Sequence, residues 1–333
     1  MAAVMGVIIP GTVLSLLTGD RDRQDHGDVV ATVTQSTQMT VSQETVPTEA
    51  VINSNVMLPV LMENGNIHMT ELNEYLVGVV LAEMPASFEP EALKAQTVVA
   101  RTYALKRYLS NPKHPQNAVC TKPECCQGYI SQEAYMLEGG KQEDVEKIKN
   151  AVNDTGSCVL TYEGALIEST YFSCSGGNTE DALAVWGTDI PYLQATESPG
   201  EENAACYTDT VFLTKSELEE ALDLQLAGEP EQWIGNITYT EGGGVDEIEI
   251  AGNSFIGTEI RRLLGLRSTA FTMEVMVDGI SVTTRGYGHR VGMSQYGADA
   301  MAAAGHGYAE ILAHYYTGTV LESYEVFDVH GKA

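Results

Sequence analysis

Pro85 and Pro90 constrain this chain more than any other pair of positions. Each proline locks φ and lacks an amide proton, so no single helix runs through both. From Thr70 the apolar positions Leu72, Leu76, Val79 and Val80 recur at helical spacing, which brings a first helix to its end at Glu83. Pro90 suits the first turn of a second helix, which runs to about Tyr108 before Asn111-Pro112 stops it. Glu83 is therefore expected at a helix C-terminus, over an inter-helix turn. The macrodipole disfavours negative charge there, and the flanking Leu81, Met84 and Phe88 would desolvate the carboxyl. Both effects raise its pKa, as a general acid requires. A solvated glutamate at a helix end is the plain alternative.

The rest of the chain divides into blocks. A strand is expected at 57–62, with a turn at 63–66. A cysteine-bearing loop spans 112–130 and a short acidic helix 142–152. Strands then dominate, at 158–162 and, across the Glu163-Gly164 turn, at 165–173 as a hairpin, then at 237–240, 245–250 and 271–277. They are interrupted by a helix at 214–224 with a Ser216/Glu219 capping box and by another at 257–264. The end is helical, with stops at Gly305 and Gly318, and there is no internal repeat. Segregated helical and strand blocks predict an α+β fold. The predicted body covers 56–321 (helical 70–155, β-rich 156–285, helical 290–321), followed by a tail at 322–333.

Met1 to Gly19 contains no charged side chain, just enough to cross a bilayer, although no basic residue precedes it. A cleaved signal peptide is the competing reading, and a buried core helix is disfavoured by the polar segment that follows. The expectation is a transmembrane anchor at 1–19, a flexible Thr/Gln-rich linker at 20–55, and an extracytoplasmic body at the cell membrane. A net charge of −28 argues against nucleic acid, because little would neutralise phosphates.

Three further clusters could carry chemistry. His114, Cys120 and Cys126 form His-x5-Cys-x5-Cys, with an extra thiol at Cys125; imidazole and thiolate together suit tetrahedral Zn2+, and a loop disulfide is the alternative. Whether Cys158, Cys174 and Cys206 are buried thiols or pair is open. Ser173-Cys174-Ser175-Gly176-Gly177 follows a strand, where glycines would let a sugar approach the backbone; a tight turn is the alternative. Cys174 is not expected to be a nucleophile, because no histidine stands in a cysteine-protease pattern. The run Gly286 to Gly297 lacks a complete phosphate-loop pattern, so phosphate binding is not expected. Arg101, about three turns into the second helix, either lines a cleft or pairs with a surface carboxylate.

The Glu83-Met-Pro85 segment, the Glu91-Ala-Leu-Lys-Ala-Gln96 and Ala100-Arg-Thr-Tyr103 blocks, Cys126-Gln127, Val185-Trp186-Gly187 and the run with His289, Ser294, Gln295 and Tyr296 together resemble the stage II sporulation protein D family. The resemblance extends from about Leu72 to Leu321. It implies a membrane-anchored lytic transglycosylase that cuts the MurNAc–GlcNAc backbone of peptidoglycan during engulfment, on strands stripped of stem peptides, alongside stage II sporulation proteins M and P. It further implies that Glu83 is the catalytic acid, that Ser173, Ser175, Gly176, Gly177, His289, Ser294, Gln295 and Tyr296 bind substrate, with Arg101 as a candidate beside them and a structural hydrogen-bonded histidine as the alternative for His289, and that His114, Cys120, Cys126 and a candidate fourth ligand Cys125 hold structural zinc. The family usually has Gly where this chain has Arg290, a cation that would narrow the cleft or meet a substrate carboxylate. A related branch, the amidase enhancers, implies the alternative of a non-catalytic glycan binder that stimulates a cell-wall amidase.

Overall fold

A computed structural model of the chain describes residues 56–110 and 112–327. In chain order, β1 (Met57–Leu61) and β2 (Ile67–Glu71) lead into α1 (Leu72–Glu83) and α2 (Pro90–Leu109). β3 (Val119–Cys120), α3 (Gln132–Leu137), α4 (Gln142–Asp154), β4 (Cys158–Tyr162), β5 (Ala165–Leu166), β6 (Tyr171–Phe172) and α5 (Ala182–Trp186) follow. A strand-rich stretch then comprises β7 (Thr208–Thr214), α6 (Lys215–Leu222), β8 (Ile234–Tyr239), β9 (Val245–Ile250), β10 (Asn253–Ile256), α7 (Gly257–Leu263), β11 (Phe271–Met276) and β12 (Gly279–Arg285). β13 (Met293–Ser294), α8 (Gln295–Ala303), α9 (Tyr308–Tyr315) and β14 (Val320–Ser323) complete it.

The described strands pair in small sheets, ordered β2-β1-β3, β10-β9-β8, β11-β12-β7, β13-β6 and β14-β4-β5. All pairings are antiparallel except β1–β3 and β6–β13. The fold is α+β, as the segregated blocks predict.

Two apolar cores carry it. The first surrounds α1 and α2, which are buried on nearly every side; Leu76, Val80, Leu93 and Val99 pack with Ile148 of α4, Leu160 of β4 and Leu312 of α9. Each such aliphatic side chain contributes roughly 1.5–3 kcal/mol by leaving water. The second gathers Leu218, Trp233, Ile248, Ile260, Phe271 and Val282 from the strand-rich stretch. It is stitched by β11–β12–β7, and buried and half-buried residues alternate from Ile280 to Thr284 of β12.

Helix and strand positions agree closely with the sequence at α1, α2, α4, β4, β9, α7 and β11. The departures are physical. Ala165 to Ser173 is not one hairpin arm: β5 pairs with β4, while β6 leaves for β13 in another sheet. The box that starts α6 is Thr214 with Glu217, not Ser216 with Glu219, because β7 ends at Thr214 and fixes the cap there. The body continues past Leu321, since Ser323 pairs with Cys158 and Tyr324 is buried. Among the described residues no helix is long and apolar enough to cross a membrane. The expected anchor at 1–19 and linker at 20–55 lie outside the described residues.

Arg101 corrects both sequence readings. It is fully buried and meets neither a cleft nor a surface carboxylate. Its guanidinium donates to Cys158 O (3.0 Å), Val152 O (3.2 Å) and Thr155 Oγ1 (3.1 Å). Val152 and Thr155 close α4, so the helix's negative end takes the place of a counter-ion. Burial pulls the guanidinium down to about 10, which leaves it charged at neutral pH. Replacement by Met would remove three donated hydrogen bonds from the core. Arg101→Met is expected to lower the unfolding free energy by about 3 kcal/mol, measured by urea titration.

Candidate active site and metal centre

Glu83 is the last residue of α1, and Met84 beyond it turns into extended backbone. The carboxylate does not point into open water. The amide of Gly128 donates to its Oε1 at 2.5 Å, and the Tyr171 hydroxyl is a second donor. Burial raises the Glu83 pKa, and these two hydrogen bonds pull against the rise without cancelling it. Leu81, Met84 and Phe88 are buried as expected, yet part of the enclosure comes from the 127–128 loop and from β6, far away in sequence. No other carboxylate among the described residues stands close enough to shift Glu83. Glu89 is exposed, and Glu91 binds Lys94 (2.9 Å) and the amide of Tyr308 (2.8 Å).

Glycine makes this approach possible. A Cβ at Gly128 would sit 3.0 Å from Glu83 Oε1. One at Gly78, a turn earlier on α1, would overlap the Tyr129 ring and lie 2.7 Å from Ile130 O. The 128–130 segment therefore lies directly against the helix that carries the acid, and Ile130 donates its amide to Gly78 O.

The same segment begins at the cysteine loop. One ligand atom from each of His114, Cys120, Cys125 and Cys126 lies within 4.8 Å of the others, and His114 Nε2 is 3.3 Å from Cys125 Sγ. Cys125 and Cys126 both donate their amides to Lys122 O, a turn that gathers the thiols. Burial, and then the neighbouring thiols, push Cys120 up to about 12. A bound cation would favour the Cys120 thiolate against this rise. Its donor set and spread fit a four-coordinate ion of the zinc type. A cavity of about 430 Å³, lined by Leu61, Met62, His114, Cys120 and Cys125, gives an ion a way in.

Hydrogen bonds join this loop to the acid. Tyr75 of α1 donates to Gln127 Oε1 (3.5 Å), and Gln127 Nε2 donates to the Tyr171 hydroxyl (3.3 Å), which in turn faces Glu83. Burial holds the Tyr171 phenol well above its usual range, so it remains a neutral donor.

The β6–β13 pair brings several predicted residues together. Met293 and Ser294 pair with Tyr171 and Phe172, while Ser173 O accepts from Tyr296 N (3.0 Å) and Ser294 Oγ (3.4 Å). Tyr296 stands edge-on to Phe88, with ring centroids 4.9 Å apart, and meets the Cys206 thiol. Gln295 is buried, and its Nε2 has no partner among the described residues. His289 has a positioning role. Its Nδ1 accepts from Val291 N (3.1 Å), and its ring also bonds the Tyr171 backbone, so it holds Tyr171 in place. Burial between Phe172 and Trp186, and then Arg261, pulls it down to about 4, and it is neutral.

Other predicted residues turn inward. Ser175 and Gly176 are buried, and their donors go to Glu201: Oε2 accepts from Ser175 N (2.8 Å), Ser175 Oγ (2.9 Å), Gly176 N (3.1 Å) and Cys174 Sγ (3.1 Å). The Ser-Gly-Gly loop already holds an internal carboxylate, which corrects the expectation that its serine and first glycine grip a sugar. Gly177 is half-buried and donates to Ser175 Oγ. No sequence pattern pointed to Glu201. Cys206, left open between a buried and a paired thiol, is a free thiol beside Ser173 and Cys174, and the Cys174 thiol first of all lowers it to about 7.

Arg290 neither narrows a cleft nor waits for a substrate. It sits at φ 66° and is 2% exposed. Its guanidinium donates to Ser175 O (2.7 Å), Asn178 O (2.8 Å), Gly242 O (2.7 Å) and Glu180 Oε1 (2.9 Å).

A family model described as Stage II sporulation protein matches residues 63–162, which contain Glu83 and the whole metal cluster. Stage II sporulation protein D of Bacillus amyloliquefaciens and that of Bacillus subtilis (strain 168) are each 38% identical over 280 residues, covering 82% of this chain and 81% of theirs. The chain belongs to the stage II sporulation protein D family. An amidase enhancer of Bacillus subtilis is 31% identical over 308 residues, spanning 75% of this chain and 40% of that protein. The backbone at Arg290 is left-handed, the conformation that favours glycine.

Removing the Arg290 side chain would leave the buried Glu180 carboxylate without its counter-ion. Arg290→Ala is expected to cost about 3–5 kcal/mol of stability, read from urea unfolding.

Proposed function

We propose that this chain is a peptidoglycan lytic transglycosylase of sporulation, with Glu83 as its single acid and base. The observation that supports this most is a carboxyl whose pKa is raised by burial, held by two donors, with no second carboxylate among the groups that shift it. Glycosidases that add water use a carboxylate pair. Here Glu83 passes its proton to the bridging oxygen as the C1–O bond of MurNAc breaks. The sugar's own 6-hydroxyl attacks C1 and gives its proton back to Glu83, closing a 1,6-anhydro ring without consuming water. An internal nucleophile has a high effective concentration. Gly128 N–H and the Tyr171 hydroxyl steady the carboxylate between the two transfers, and His289 fixes Tyr171 from its backbone.

His114, Cys120, Cys125 and Cys126 would hold a structural Zn2+. It would supply no bond-breaking chemistry; it would lock the loop that delivers Gln127 and Gly128 to the acid. The substrate would be glycan strands stripped of stem peptides, reached from an anchor at residues 1–19 that leaves the body outside the membrane, with stage II sporulation proteins M and P as partners. A second reading, favoured by the likeness to an amidase enhancer, is a glycan binder that activates an amidase without cutting.

Glu83→Gln is expected to reduce cleavage of purified glycan strands about a thousandfold with folding intact, and wild-type products are expected to end in anhydro-MurNAc by mass spectrometry. Products carrying an added water would mean a missed second carboxylate, and no turnover by the wild type would favour the amidase activator. The acid must be protonated, so cleavage falls as pH rises through the raised Glu83 pKa. Tyr171→Phe removes a hydrogen bond that lowers this pKa, so the alkaline limb of its pH profile is expected to move to higher pH.

Metal analysis of protein purified without added metal is expected to find one zinc per chain. Binding should weaken as pH falls and protons compete for the thiolates. A Cys120–Cys126 disulfide without metal would refute the assignment.

A further inference from the structure

The turn between α1 and α2, residues 84–89, begins directly after Glu83. Its backbone belongs to neither helix, so its polar groups must find partners elsewhere. One bond is internal: Phe88 N donates to Pro85 O (3.0 Å). The others reach distant elements. Lys147, in the middle of α4, donates from Nζ to Ala86 O (2.9 Å) and Phe88 O (2.6 Å). Asp299 of α8 accepts from Glu89 N at 2.7 Å. A cation from one helix and an anion from another therefore grip the same short turn.

Apolar burial already docks these helices, through Val145, Ile148 and Val152 of α4 and Ala298 of α8. The two charged side chains act on the turn instead. In a chain with 46 acidic side chains, the Lys147 ammonium takes two neutral carbonyl oxygens as acceptors. Hydrogen bonds from an ionised donor are about twice as strong as neutral ones. Asp299 stands three residues beyond Tyr296, so both lie on one face of α8. That face receives the turn at consecutive residues: Tyr296 meets the Phe88 ring at 4.9 Å, and Asp299 holds the Glu89 amide. Tyr296 is tied in its turn to Ser173, directly after β6. The shape of the turn thus sets where the carboxyl of Glu83 stands relative to Tyr296.

We propose that Lys147 and Asp299 are positioning residues for Glu83, holding the 84–89 turn as a fixed spacer between the acid and the Tyr296 face of α8. The inference rests on the reading of Glu83 as the acid of glycan cleavage, and it assigns the groups that keep that acid in register with the strand. Both act through the backbone of the turn. Misplacing a reacting group by an ångström can cost about a hundredfold in rate, so a turn that is merely loosened is enough to slow the reaction. Met84 and Phe88, both buried, belong to the same turn and move with it.

The test is cleavage of purified glycan strands by the full chain, with strand binding measured in parallel in the Glu83→Gln chain. Lys147→Met keeps an unbranched stem and removes the ammonium. It is expected to lower kcat about thirtyfold with KM held within about twofold, and to leave the affinity and stoichiometry of strand binding in place. Lys147→Arg keeps donors for both carbonyls and should recover most of kcat. Asp299→Ala should act like Lys147→Met, and Asp299→Asn, which keeps an acceptor oxygen, should lose less. A loosened turn admits water to the carboxyl, so the burial that raises the Glu83 pKa weakens and the alkaline limb of the pH profile moves to lower pH. The position of that limb does not depend on how much of the chain is folded. A kcat unchanged in Lys147→Met, or one that falls only with the folded fraction while the limb stays put, would overturn the positioning role alone. So would a raised KM with kcat preserved, or an Arg variant no better than the Met one. A wild type that cuts no strand would overturn the cleavage reading and this inference with it.

Discussion

The guanidinium of Arg290 ties together parts of the chain that lie far apart in sequence. Its four acceptors lie on the Ser-Gly-Gly loop, on Asn178 and Glu180 beyond it, and at Gly242 in the turn between β8 and β9. Glu180 extends the junction by accepting from Thr240 Oγ1 and Gly244 N. One buried cation thus attaches the strand-rich unit to the segment that becomes β13. The backbone at Arg290 adopts a left-handed conformation that costs of order 1 kcal/mol for a side chain with a Cβ. Glycine would be comfortable there and would hold nothing.

From that junction a line of contacts runs to the proposed acid. β13 pairs with β6, His289 fixes the backbone of Tyr171, and the Tyr171 hydroxyl reaches Glu83. A second line arrives from the opposite direction: the cysteine loop leads into Gln127 and Gly128, which meet the same phenol and the same carboxyl. Glu83 is where the two lines end. Burial raises its pKa, and the donors at the two line ends, Gly128 N–H and the Tyr171 hydroxyl, oppose that rise.

What was legible in the sequence was local. Proline boundaries placed Glu83 at a helix end, and the spacing of His114, Cys120 and Cys126 placed their side chains in one cluster, with Cys125 among them. What was not legible depends on tertiary contacts. β6 and β13 are two residues long, too short to show any period, and the expected hairpin over 165–173 stood in their place. Glu201 carries no motif, so its occupation of the Ser-Gly-Gly loop could not be seen, and the loop looked like a sugar contact. Arg101 looked like a cleft or surface residue because a charged side chain normally reaches water. Here α2 is buried on all sides, and the end of α4 supplies the compensation.

The β6–β13 pairing joins Tyr171 to Met293, far later in the chain. Contacts so far apart in sequence form late, because the entropy of closing the loop must be overcome first. α1 and its carboxyl can be helical long before the phenol that orients that carboxyl is locked in place. During synthesis from the N-terminus, the nascent chain therefore carries Glu83 without a finished site until the segment around residue 293 has emerged and docked. For a protein proposed to cut the wall outside its own membrane, this order of assembly is a built-in delay: competence arrives with the last fifth of the chain, whatever the state of the first.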